Sequence, residues 1–260
     1  LSQSILADDD LQCSSLGNCA ASWGAKNAQT CIIQDRDADF SLGMFIWTGT
    51  DYIGEPTPYH TRSSYFGQID TAGFEKDAFY LYQAAWTDEP MVHILPHWDW
   101  NEGQVIDVRV CSNQPRVRLC LDDELIGEKP IDIKQGSGLY ADWRMTYRPG
   151  TLRAEALDEK GHVRAFHERP GFGDAVKLVL RADKAAIKAD GRDMAFIEVS
   201  AADARGRAVE NALDRVRVNV VGAGRLVGLD NGDSAGRDEY KGTSRRLFAG
   251  KRLAMGNGRA

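Results

Sequence analysis

At 260 residues, 43% hydrophobic and 27% charged, the chain has a globular composition and room for two or three domains. A net charge of −6 and a pI near 5.4 argue against a nucleic-acid or membrane-surface partner, because no basic field exists to draw phosphates. No apolar run is long enough to span a bilayer.

Leu1 to Ala21 is polar and irregular. Ala25 to Phe40 carries a moderate helical pattern, with Ala25, Ala28, Ile32 and Ile33 near one face and Asp35, Arg36, Asp37 and Asp39 closing it. Met44-Phe45-Ile46-Trp47 is a short apolar run of the kind that forms a strand buried on both faces, so a strand is predicted from Gly43 to Trp47. It breaks into a loop rich in Gly, Pro, aromatics and acids that runs to about Phe66. Binding groups of α/β enzymes sit on such strand-end loops. Phe74 to Trp86 is the strongest helix, with Ala78, Leu81, Tyr82, Ala85 and Trp86 recurring at helical spacing.

After Glu89-Pro90 the period becomes two. Ile106, Val108 and Val110 alternate with Asp107 and Arg109, and Val117, Leu119 and Leu121 with Arg118 and Cys120. Asp122-Asp123 signals a turn, and Leu125-Ile126-Gly127 resumes the hairpin. Trp143 to Tyr147, then Leu152, Ala154 and Ala156, add strands across the Pro149-Gly150 turn, which suggests a β-sandwich. A linker follows near Arg169-Pro170-Gly171-Phe172-Gly173-Asp174. Beyond it, strands at Leu178 to Leu180, Phe196 to Val199 and Val216 to Val220, with turns at Asp190-Gly191 and Asp203 to Gly206, suggest a second sandwich.

One stretch carries a specific likeness. Phe45 to Tyr59 reads F-I-W-T-G-T-D-Y-I-G-E-P-T-P-Y, followed by Ser63-Ser64-Tyr65-Phe66-Gly67, Asp70-Thr71-Ala72-Gly73-Phe74, Lys76-Asp77, His93 to Trp100 and Gly228-Leu229-Asp230-Asn231-Gly232-Asp233. In this order they resemble the end of the catalytic barrel and the following domains of bacterial β-galactosidases of glycoside hydrolase family 2. Ser22-Trp23-Gly24 resembles a further element of that pattern. The resemblance implies the C-terminal part of a (β/α)8 TIM barrel over 1–88, a β-sandwich over 89–170 and a second immunoglobulin-like β-sandwich over 171–260. The start at Leu1 and the end at Gly256 to Ala260 then read as cuts in a longer protein.

Retaining glycoside hydrolysis uses two carboxyl groups about 5 Å apart, an acid/base and a nucleophile. In the family both are glutamates on earlier barrel strands, so the catalytic residues are expected upstream of Leu1. Asn101-Glu102 lies in sandwich-type sequence and is no candidate. The resemblance assigns substrate binding to Trp47, whose indole would stack under the apolar C–H face of a sugar. It assigns Asp51 to the same site, through hydrogen bonds to sugar hydroxyls; fixing the loop is its other reading, as it is for Glu55. Tyr52, Tyr59 and His60 either line outer sugar sites or pack the loop. His60-Thr61 stands where the family often has Trp-Pro, which leaves outer-site specificity open.

Five cysteines is an odd number, and Cys13, Cys19 and Cys31 have neither regular spacing nor accompanying histidines. Neither a metal nor a cofactor is expected. Asp230 to Asp233 has calcium-loop letters without the spacing and reads as a turn. His93, His97, Trp98 and Trp100 read as packing for the sandwich beside the barrel, or as an aromatic binding patch. The implied activity is that of a retaining β-galactosidase, with a carbohydrate substrate as the partner, a possible homo-oligomer and a periplasmic or extracellular setting. A β-glucuronidase or β-mannosidase of the same family, or a non-catalytic carbohydrate-binding or structural module, is the alternative.

Overall fold

The computed structural model describes residues 28–56, 61–132 and 138–258. Tyr59 and His60, Cys13 and Cys19, and Ser22 to Gly24 lie outside them. The described residues hold mostly antiparallel β-sheet and few helices, and they divide into two compact units.

The first unit takes in described residues of 28–49, 66–69 and 75–171. Its elements are α1 (Ala28–Arg36), α2 (Asp77–Trp86), β1 (Val92–Leu95), β2 (Val105–Ser112), β3 (Arg116–Leu121), β4 (Glu124–Pro130), β5 (Tyr140–Thr146), β6 (Thr151–Leu157) and β7 (Val163–Pro170). One sheet has the order β1-β2-β5 and the other β4-β3-β6-β7. Their facing sides close on Ile106, Val108 and Val110 of β2, Val117, Leu119 and Leu121 of β3, Trp143 of β5, Leu152 of β6, and Trp98. The period-two pattern of the sequence is thus a sandwich core, as expected.

β2 departs from a simple in-and-out alternation. Asp107 and Arg109, whose spacing pointed to water, are buried along with nearly the whole strand. The reason is a second layer: Ile32 of α1 and Leu81, Tyr82 and Ala84 of α2 share a cluster with Leu95 and Cys111 on the other face of that sheet. Arg109 tolerates burial because it stands directly opposite Asp142 in the register. It meets both carboxylate oxygens at 2.7 and 2.9 Å and lies 3.2 Å over the Tyr140 ring. Burial also pushes the Cys111 thiol up to about 12, so it is an inert packing group.

The first helix is shorter than predicted and ends at Arg36. The second starts at Asp77 rather than Phe74, because the Phe74 N–H donates to Asp70 Oδ1 (2.9 Å) and is held in a turn. The largest departure is at Met44 to Trp47. This predicted buried strand pairs with no strand among the described residues, and Phe45 is 101% exposed. A barrel strand is held by neighbours on both sides, and the described residues supply none here. They form no closed barrel.

The second unit takes in described residues of 50–65, 70–74 and 172–258. Its strands are β8 (Lys177–Ala182), β9 (Met194–Ala202), β10 (Arg215–Arg217), β11 (Gly224–Asp230), β12 (Ser244–Arg246) and β13 (Lys251–Gly258). Four run in the order β11-β13-β9-β8, and β10 pairs with β12. Two small clusters fill the interior: Phe172, Ala201, Val209, Ala212 and Leu247, and then Val199, Leu229 and Ala254. Two buried guanidiniums, Arg245 and Arg252, occupy space that an apolar side chain would take in a larger core. The predicted strand through Val220 stops at Arg217, and Val218 instead donates its N–H to Thr243 O (2.8 Å).

Candidate functional site

In the first unit, the side chains of 44–47 alternate between partly buried and exposed. Met44 and Ile46 pack against the α1–α2 cluster. Phe45 and Trp47 face outward, and Trp47 is 77% exposed. The stretch is fixed just beyond it: the N–H groups of Gln68 and Ile69 both donate to Gly49 O, at 2.9 and 3.0 Å. Gln68 O in turn accepts from Lys76 N (3.0 Å), immediately ahead of α2. Trp47 is therefore a large, mostly exposed aromatic side chain next to a tethered segment, and an exposed indole is a group that can stack on a sugar.

In the second unit, Asp51 opens an arm that returns through Thr61 to Tyr65. Tyr52 and Ser64 exchange bonds, Tyr52 N to Ser64 Oγ and Ser64 N to Tyr52 O, each 3.0 Å. Ile53 and Ser63 form the next bridge. The exposed Tyr52 hydroxyl donates to Glu55 Oε2. Asp51 is 4% exposed, and Ser63, Ser64 and Tyr65 are buried beside it in the same unit. The Tyr52–Glu55 contact is local, three residues apart in the chain.

Asn101-Glu102 sits in an exposed turn between β1 and β2. His93, His97, Trp98 and Trp100 do not form one surface. Trp98 is buried in the sandwich core against Tyr147, with ring centres 4.9 Å apart. His97 and Trp100 stack on each other at 4.7 Å. His93 lies between Tyr80 (3.6 Å) and His167 (4.9 Å), with its Nε2 2.9 Å from Asp77 Oδ1. His167 accepts the Ile94 N–H at Nδ1 (2.9 Å). Burial, then the Arg169 charge and His93, depress His167 to about 3, so it is a neutral acceptor at ordinary pH. No group of metal-ligating side chains occurs among the described residues.

Sequence reasoning quoted Asp70 within a resembling motif but gave it no role. Its Oδ1 accepts from Ala72 and Phe74 N–H, both at 2.9 Å, and sets the turn between Ile69 and Glu75. The Asp-x-x-Gly spacing of Asp70 and Gly73 was the available signal.

The chain's relatives agree with this architecture. Residues 178–258 match the glycoside hydrolase family 2 C-terminal domain 5, and residues 103–165 match a domain of unknown function. These findings place the chain in glycoside hydrolase family 2. It is 39% identical over 252 residues to β-galactosidase BoGH2A of Bacteroides ovatus, covering 96% of this chain and 29% of that protein. It is 30% identical over 228 residues to a putative β-glucuronidase of Formosa agariphila, covering 83% of this chain and 22% of that protein. Among solved structures, a β-glycosidase from Bacteroides vulgatus matches with a TM-score of 0.83 at 30% identity, over 90% of this chain and 30% of the other. The chain thus spans less than a third of each of these relatives.

Proposed function

We propose that this chain supplies the C-terminal part of a retaining β-galactosidase. In this reading residues 1–88 end a (β/α)8 barrel, and two accessory sandwiches follow over 89–170 and 171–260. The carboxylates that protonate the leaving oxygen and attack the anomeric carbon lie upstream of Leu1. Trp47 stacks under the galactose ring. The observation that carries this reading is the outward, 77% exposed indole on a segment whose alternate side chains are packed away. Asp51 is buried in its own unit, and further chain only buries a group more, so we read its carboxylate as orienting the loop at the sugar site. The 39% identity to a β-galactosidase supports galactose as the sugar. The 30% identity to a putative β-glucuronidase supports a glucuronide as the second reading.

The test uses the full-length protein containing this chain, with chromogenic β-galactoside and β-glucuronide substrates. Trp47→Ala is expected to lower kcat/KM about 100-fold, because a stacked indole is worth on the order of 2–3 kcal/mol. A change below about twofold would remove Trp47 from the sugar site. Faster turnover of the glucuronide would move the assignment to the second reading. The isolated 260-residue chain is expected to be inactive. Turnover by it alone would make Asp51 and Glu55 the first suspects, and sugar binding by the sandwiches without turnover in the full-length protein would favour a binding module.

A further inference from the structure

We infer that the Asp230–Ser234 turn of the last sandwich positions the Asp51–Tyr65 arm, with Gly232 as the residue on which this depends. The arm's returning half is tied to the turn through backbone. Arg62 N and Ser63 N both donate to Ser234 O, at 2.7 and 3.3 Å, and Arg62 Nη1 reaches Gly236 O at 3.4 Å. The neighbouring 70–74 segment seats on the same turn. Gly232 adopts φ +74°, and a Cβ built there would lie 1.8 Å from Asp70 Oδ2. Lys251 Nζ stands 4.3 Å over the Phe74 ring. No side chain fits between Gly232 and Asp70 without moving one of them.

The turn is itself held from beneath. Buried Arg245 donates through Nε to Asn231 Oδ1 (2.9 Å), and Asn231 Nδ2 donates to Arg246 O (3.1 Å). Asp230 Oδ1 accepts the N–H of Asn231 (2.7 Å) and of Gly232 (3.2 Å). A displacement at Gly232 therefore passes outward, to Asp70 and the Ser234 carbonyl, more readily than inward. From Ser63 and Ser64 it reaches Ile53 and Tyr52 through the paired arm, and Tyr52 adjoins Asp51 in the chain. The last sandwich acts as a template for the arm that Asp51 opens.

The structural half stands on these contacts alone, whereas the kinetic half rests on the sugar-site reading above. Amide hydrogen exchange on the unsubstituted chain should show Arg62 and Ser63 protected together with β13. Gly232→Ala should abolish protection of Arg62, Tyr52 and Ser64 while β9 and β13 stay protected. Gly191→Ala is the control: Gly191 has φ +70° but open space, so it carries the backbone cost without the clash. In the full-length enzyme, Gly232→Ala should raise KM about tenfold with kcat within about twofold, and Gly191→Ala should change neither. Random-coil exchange at Arg62 in the unsubstituted chain, or unchanged Tyr52 and Ser64 protection in Gly232→Ala, overturns the clamp. Lost protection with unchanged KM overturns its role at the sugar. A silent Trp47→Ala beside a raised KM in Gly232→Ala sinks the Trp47 assignment and leaves the clamp standing.

Discussion

Trp98→Ala should destabilise the first unit by about 3–5 kcal/mol, the range for emptying a large aromatic site in a close-packed core. Trp98 is fully buried and sits between the two sheets, where Val108, Leu119 and Trp143 belong to the same cluster. Neighbours close over the space it leaves only in part, because β2 and β3, which carry Val108 and Leu119, are held by ladders on both sides. Trp98→Phe should cost far less. It keeps most of the volume, and the buried indole N–H has no acceptor within the described structure, so little is lost with it. Urea unfolding followed by exchange at β3 and β6 measures both. Protection at β9 and β13 of the second unit should remain. A cost below about 1 kcal/mol for Trp98→Ala would mean the sandwich is not held by this residue.

Acid should also weaken the first unit, and His167 accounts for a large share. In the unfolded chain an ordinary histidine titrates near 6.5, whereas in the fold this one is held down to about 3 by burial beside Arg169 and His93. The Asp77 carboxylate works the other way and does not overcome the burial. The unfolded state therefore binds a proton that the folded state refuses. The stability of the neutral folded form is complete above pH 6.5 and falls as pH drops from there towards 3. At about 1.4 kcal/mol per unit, close to 3 kcal/mol is lost by pH 4.5. His167→Asn keeps an acceptor for the Ile94 N–H and cannot take up the proton. Its unfolding free energy should slope much less than the parent's, and parallel slopes between pH 4.5 and 6.5 would exclude His167 as the cause.

The sandwiches were legible because their strands announce themselves locally. Val117, Leu119 and Leu121 alternate with polar partners, and the turns at Asp122-Asp123 and Pro149-Gly150 are chemically explicit. The strands that went unread have no such signal. β1 is the uniformly apolar-looking Val92–Leu95 with a histidine inside it, and β7 carries charges on an exposed face. Asp107 and Arg109 misled for a different reason. Alternation describes one sheet against water, and it cannot reveal that two helices from earlier in the chain cover the other face. At the candidate site, Trp47 was visible through the resemblance of its surrounding letters. Gly232 stood among resembling letters too, but its packing role was not readable, since that role lies in what stands opposite it, and Asp70 is far away in sequence.

The partition of the chain has a consequence for how such proteins diversify. Residues 50–65 and 70–74 lie early in the sequence yet belong to the compact unit of the last sandwich, so the chain enters that unit three separate times. A cut near Gly171, where the linker invites one, would separate a late domain from segments that fold with it. Recombination at that point would deliver a foreign turn to a resident loop. Exchanging the final domain among relatives is therefore not a neutral change of appendage; the two pieces have to be inherited as a matched pair or re-fitted afterwards.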